Sequence, residues 1–147
     1  MIRLATPEDV EGIGELLIHG RAESPTYRDV PYSATRAKAF LHSFINQAER
    51  IVLVDDNNGV IDGVLVGDIQ PDWTTLGWTA YAHLTYARRG SNGYFLLKFF
   101  INWAKSWKKV KKIHIPTSFS GERGEAAGKL LERLGFKSVG QQYVEVL

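Results

Sequence analysis

Residues 51–69 read IVLVDDNNGVIDGVLVGDI. Two apolar runs, rich in β-branched residues, flank the tetrad Asp56-Asn57-Asn58-Gly59. Asn and Gly accept the positive φ that a tight hairpin turn requires, and Val and Ile suit a pleated, packed surface. The stretch therefore predicts an antiparallel pair, Ile51–Val54 with Val60–Ile69. Gly63 and Gly67 mark bends or bulges in the second strand.

The flanking segments add helices and further strands. MIRLAT predicts a short first strand. Thr6 can cap the helix that follows, Pro7 fits its first position, and Glu8 and Asp9 suit its positive end. Val10, Ile13, Leu16 and Leu17 recur at helical spacing. Ser33 can cap a second helix with Ala37, Phe40, Leu41, Phe44, Ile45 and Ala48 as its apolar stripe. WTAYAHLTY is a fourth strand. A helix runs from Ser91 or Asn92 to about Trp107, with Leu96, Phe99, Phe100, Trp103 and Trp107 at steps of three and four. KIHIPT (112–117) is a fifth strand. The last helix carries Ala127, Leu130, Leu131 and Leu134 on one stripe and ends at Gly135. SVGQQYVEVL supplies one or two final strands. The order is β-α-α-β-β-β-α-β-α-β(β). It predicts an α/β (α+β) fold with a mixed, mostly antiparallel sheet of six to seven strands and about four helices on its two faces. The fourth and fifth strands, joined through a helix, are expected to be parallel.

The 147 residues, 44% hydrophobic and 23% charged, suit one domain over 1–147 with its own core. No apolar run approaches the roughly 20 residues of a membrane span, and MIRLATPEDV turns acidic too early for a signal peptide. The chain has no cysteine, which excludes disulfides, thiolate nucleophiles and cysteine metal sites and fits a reducing, cytoplasmic setting. His19, His42, His83 and His114 show no ligand spacing, so no metal is expected. Net charge is +2, lower than is usual for a nucleic-acid binder. The positive charge is local: KSWKKVKK (105–112) holds five lysines. It reads as a solvated helix end or as a contact for an anion, either a nucleotide tail or a nucleic acid.

One polar hexad stands out. Arg88-Arg89-Gly90-Ser91-Asn92-Gly93 joins the fourth strand to the long aromatic helix. It reads either as a turn or as an anion cradle, in which free amides at a helix start meet a phosphate with help from two arginines. It is neither a P-loop nor a dinucleotide fingerprint.

Three stretches together resemble the GNAT superfamily of acyl-CoA-dependent N-acetyltransferases. IRLATPEDVEGIGELL is similar to the opening strand and helix. RRGSNGYFLL is similar to the pyrophosphate loop, with Arg88 first, Gly93 last and Leu96-Leu97 as the leucine pair. GKLLERLGFKSVG is similar to the closing helix. Ser91 departs from the usual glycine. Leu131 stands where the family often has an acidic tyrosine, and Gly124 where an asparagine is common.

The resemblance implies acetyl-CoA or a related acyl-CoA as co-substrate, bound by the backbone near Tyr86 and by Arg88, Arg89, Gly90, Ser91, Asn92 and Gly93. It implies direct acyl transfer to an amine, a small molecule or a peptide. Tyr27, Arg28, Asp29 and Tyr32, between the first two helices, are then acceptor contacts. A homodimer is compatible with the family. On the fourth strand His83 is the side chain with a pKa nearest neutrality; Tyr81 shares its face and can hold a water. Ser118 and Ser120 can donate to the thiolate. His83, Tyr81 and Ser118 are thus the candidate catalytic residues. A nucleobase-modifying enzyme and a non-catalytic binding module on the same fold are the alternatives.

Overall fold

The computed structural model describes residues 1–117 and 123–147. The elements run β1 (Ile2–Leu4), a 3-10 turn (Pro7–Asp9), α1 (Val10–Arg21), α2 (Ala34–Phe44), β2 (Arg50–Asn57), β3 (Val60–Pro71), β4 (Trp78–Ala87), α3 (Gly93–Ser106), β5 (Val110–His114) and α4 (Gly124–Arg133). The sheet order is β1-β2-β3-β4-β5. The first three pairings are antiparallel and β4–β5 is parallel, as the strand–helix–strand order requires.

The hairpin forms as expected. Asn57 pairs with Val60, and Asn58 and Gly59 both take positive φ, 53° and 90°, as a two-residue turn between right-twisted strands demands. Ser33 caps α2 by accepting the Arg36 amide at 3.2 Å. Gly135 ends α4 with φ 94°.

Helices cover both faces. Ile13 and Leu16 of α1 and Leu41 and Phe44 of α2 pack on Val52, Val54, Val64 and Val66. Leu96, Leu97, Phe100 and Ala104 of α3, with Leu131 of α4, pack on Ile51, Leu53, Leu65 and Ile69. Adjacent strand residues thus feed opposite cores, which is why β2 and β3 are apolar almost throughout.

Two expectations are corrected. The fifth strand is Val110–His114 rather than 112–117, because its register is set by pairing Val110 with Trp78 and His114 with Tyr81. The described residues form five strands, fewer than the six to seven expected, because 138–147 pairs with none of them. Gly140 interrupts its apolar alternation with φ 146°, and Val139 and Tyr143 are both 88% exposed.

Candidate active site

Two irregularities in strand register shape the site. In β3–β4 the partners pass from Val66–Leu84 to Gly67–Ala82, so His83 is an extra residue on β4. In β2–β3 they pass from Asp55–Gly63 to Asp56–Ile61, so Asp62 is extra on β3. The bulges fall beside the expected glycines, but the neighbours carry them. Gly67 serves by its smallness: a Cβ there would lie 2.6 Å from the Phe100 ring and 2.7 Å from the Tyr81 carbonyl oxygen.

The β4–β5 ladder ends at Tyr81–His114, whereas β4 continues to Ala87. The last six residues of β4 therefore have no described strand on that edge. The sheet opens into a cleft with Tyr81 and His114 at its vertex, their ring centroids 5.3 Å apart.

On the α1–α2 side, His83 Nε2 lies 2.7 Å from Asp68 Oδ1. Asp68 is 8% exposed, and its other oxygen accepts from Gln70 Nε2 at 3.0 Å. Tyr81 stacks on the His83 ring at 6.2 Å, and Phe44 meets it edge-on at 5.9 Å. The imidazole is held on three sides, yet its side chain is 35% exposed.

Beyond the free edge of β4 lies the hexad. The Arg88 amide donates to the Asp62 carbonyl at 2.8 Å and the Ser91 amide to that of Arg88 at 3.1 Å. The Asn92 amide donates to Asp55 Oδ2 at 3.0 Å. The amides of Arg89, Gly90 and Gly93 have no partner among the described residues. Gly90 needs its φ of 82°, strained for any residue with a Cβ. Asp55 is 2% exposed. Burial pushes its carboxyl up, but the Asn92 amide and side chain and the Met1 ammonium outweigh it and hold it below the usual carboxylate range. Residues 88–92 of the hexad, with Asp55, Asn57, Asp62 and Met1, line a cavity of about 390 Å³. A second groove, about 480 Å³, runs between Ile2 and Phe95, Lys98, Phe99 and Asn102 of α3; Tyr81, His83 and Asp68 do not line it.

A model of the Acetyltransferase (GNAT) domain matches residues 2–143. The chain belongs to the GNAT acetyltransferase family. No curated protein sequence matches it. Solved structures that it resembles include a transcriptional regulator from Bacillus halodurans C-125, with 21% identity and TM-score 0.76, covering 100% of this chain and 99% of the other. Glucosamine-6-phosphate N-acetyltransferase from Arabidopsis thaliana has 14% identity and TM-score 0.73, covering 99% and 97%. AAC(6')-Iy in complex with the bisubstrate analog CoA-S-monomethyl-acetylneamine has 14% identity and TM-score 0.72, covering 100% and 97%. At these identities the likeness is one of fold.

Within this GNAT domain, Tyr81 and His83 come together as alternation predicts. Tyr86 is buried from β4 against Gly20, where a Cβ would lie 2.9 Å from its ring. Burial raises its hydroxyl's pKa. The acceptor-loop candidates scatter. Arg28 pairs with Asp29 at 3.7 Å, both more than half exposed. Tyr32 turns back on α1, its hydroxyl 3.6 Å from where a Cβ on Gly14 would sit, and burial raises its pKa. Arg21 reaches the Tyr27 carbonyl at 2.8 Å. Ser118 and Ser120 lie outside the described residues. Leu131 is a core residue.

Two lysines of the run are held in ion pairs. Lys105 lies in the last turn of α3, Lys109 pairs with Glu49 and lies 3.7 Å from the Trp78 ring centroid, and Lys112 pairs with Asp72 at 2.5 Å.

Sequence reasoning missed Asp68, Gln70, Asp55 and Arg123. Arg123 donates to the Ala87 carbonyl at 2.9 Å and lies 3.5 Å from Glu23, tying the start of α4 to the end of β4. For Asp55 and Asp68 a signal existed. Each is a carboxylate within or bordering an apolar strand run, and buried carboxylates are rare without a partner.

Proposed function

We propose that the chain transfers an acetyl group from acetyl-CoA, or a related acyl-CoA, directly to an amine. The observation that carries this reading is the parting of β4 from β5 beyond Tyr81–His114. It leaves a strand edge, unpaired among the described residues, long enough to take an extended amide-bearing arm. That edge leads to a loop with two arginines and three unengaged amides. Arg89, Gly90 and Gly93 would hold the diphosphate through backbone N–H groups, aided by the positive end of α3. The Arg88 and Arg89 side chains would add charge; Arg88 is shared with Asp62 at 3.5 Å. The complex of AAC(6')-Iy with a CoA bisubstrate analog supports this choice of co-substrate on the fold.

The reaction needs a group to accept the amine's proton. His83 is our candidate: it is partly exposed, it sits at the bulge, and its ring is held by Tyr81 and Phe44. No cysteine is present, so an acyl-cysteine intermediate is closed and transfer is direct. The absence of cysteine also accords with a cytoplasmic setting.

The test is acyl-CoA binding and turnover. Acetyl-CoA at 100 times its Kd stabilises the fold by roughly 2.7 kcal/mol, which raises Tm by several degrees. Thiol release in the presence of a panel of small amines and peptides then identifies the acceptor. Replacing Arg88 and Arg89 together by Ala raises the KM for acetyl-CoA about tenfold or more, since each charge-assisted contact contributes roughly 1.5–3 kcal/mol before solvent screening. No thermal shift at millimolar acetyl-CoA refutes the proposal.

A further inference from the structure

We propose that Asp68 is a positioning residue that fixes the tautomer of His83, so that Nδ1 and not Nε2 receives the proton of the acceptor amine. The inference rests on the reading of His83 as the base.

Asp68 and Tyr81 are cross-strand partners in β3–β4, and the bulge places His83 diagonally from Asp68. The side chains meet at 2.7 Å through Nε2. A carboxylate only accepts hydrogen bonds, so Nε2 must donate. A neutral imidazole has one N–H, and its lone pair is therefore on Nδ1. Nδ1 makes no hydrogen bond among the described residues, and the side chain is 35% exposed. Asp68 is itself held. It is more than nine-tenths buried, and Gln70 Nε2 donates to its second oxygen at 3.0 Å. Gln70 and His83 thus both donate to Asp68, one to each carboxylate oxygen, which leaves an open lone pair on His83 Nδ1.

The step balances. The amine nitrogen attacks the thioester carbonyl carbon and a C–N bond forms. The amine's proton passes to His83 Nδ1, giving an imidazolium whose Nε2–H stays on Asp68. The C–S bond breaks, its electron pair leaves on the thiolate, and the thiolate takes a proton from water. His83 then returns its proton to solvent. The products are an amide and the free thiol.

Asp68→Asn tests the tautomer assignment. Gln70 goes on donating to the asparagine oxygen, so the amide NH2 faces Nε2 and the His83 proton moves to Nδ1. The long-range ¹H–¹⁵N spectrum of the neutral ring reports this directly; His83 is assigned by its absence from the His83→Ala spectrum. The native protein is expected to show the Nε2–H form and Asp68→Asn the Nδ1–H form. With the acceptor found in the amine panel, Asp68→Asn is expected to lower kcat about 100-fold or more at unchanged KM for acetyl-CoA. A merely structural role would alter neither the tautomer nor kcat alone. An Nδ1–H ring in the native protein overturns the inference and needs no variant to fold. Full turnover by Asp68→Asn overturns it as well. Full turnover by His83→Ala would instead mean that the base is another group, whatever Asp68 does.

Discussion

The closest packing around the site lies at Gly67, and Gly67→Ala measures it. The new methyl would sit 2.6 Å from Phe100 Cε2, 3.2 Å from its Cζ and 2.7 Å from the Tyr81 carbonyl oxygen. Carbon atoms in good contact lie about 3.5–4.0 Å apart, so something must move by nearly an ångström. Phe100 is fully buried and stacked on Trp103 at 5.7 Å, which blocks the ring's retreat. The carbonyl belongs to β4 beside the bulge. Overpacking of this kind costs about 1–3 kcal/mol. Relative to glycine, alanine in a strand recovers roughly 0.5 kcal/mol of backbone entropy. At roughly 2–4 °C per kcal/mol for a chain of this length, Tm is expected to fall by about 1–10 °C. Gly63→Ala is the matched control. Its methyl would meet Leu96 Cδ1 at 2.8 Å and Asp55 Cβ at 3.3 Å; the nearest atom is the end of a flexible side chain and no backbone atom is as close, so its net cost is expected to be smaller than that of Gly67→Ala. Scanning calorimetry with urea titration measures both. If Gly67→Ala melts within a degree of the parent, or no lower than Gly63→Ala, the packing argument is wrong.

Other perturbations probe the frame around the cleft. Arg3 binds Asp9 through two nitrogens at 2.7 and 2.9 Å, and the Thr6 amide adds a third bond at 2.8 Å. Arg3's hydrogen bonds, against an opposing burial effect and with help from Thr6, hold the Asp9 carboxyl at about 2, down from 3.8. A depressed carboxyl pKa stabilises the fold above the unfolded value and loses that contribution as pH falls toward about 2. The gap corresponds to roughly 2.4 kcal/mol. With Arg3 29% and Asp9 11% exposed, screening leaves about 1–2 kcal/mol. Urea unfolding of Asp9→Asn should show that loss at pH 7 and much less near pH 2; an equal loss at both would contradict the linkage. Ser33→Ala removes the cap on α2 and is expected to cost about 1 kcal/mol, read as a lower urea midpoint at unchanged slope. Arg123→Ala frees the Ala87 carbonyl and Glu23 and is expected to change the KM for acetyl-CoA by more than it changes Tm, because its contacts border the unpaired edge of β4; a Tm change alone would limit Arg123 to a structural role.

Much of this architecture is local and was legible residue by residue. Asn58-Gly59 specifies its turn through backbone conformation, Ser33 specifies a helix start through one side-chain oxygen, and the stripe Leu96, Phe100, Trp103 can be buried only as a helix face. The strand-to-helix junction at the hexad was legible for the same reason, since Gly, Ser and Asn favour a turn there. What does not pair was not legible. The tail 138–147 alternates like a strand, yet strand formation depends on an edge that accepts it, and apolar pattern carries no information about partners.

The site divides along the same line. From its residues alone the chain determined that a histidine and a tyrosine share one face of β4 and that glycines and arginines follow them. Only tertiary structure decided that Asp68, fifteen residues before His83, is its partner, that a bulge brings the two together, and that Asp55 from a distant strand takes one of the hexad's amides. Helices and turns arise from contacts between near neighbours in sequence, whereas register, bulges and buried ion pairs are set by which strands meet, and that is a property of the whole packed chain.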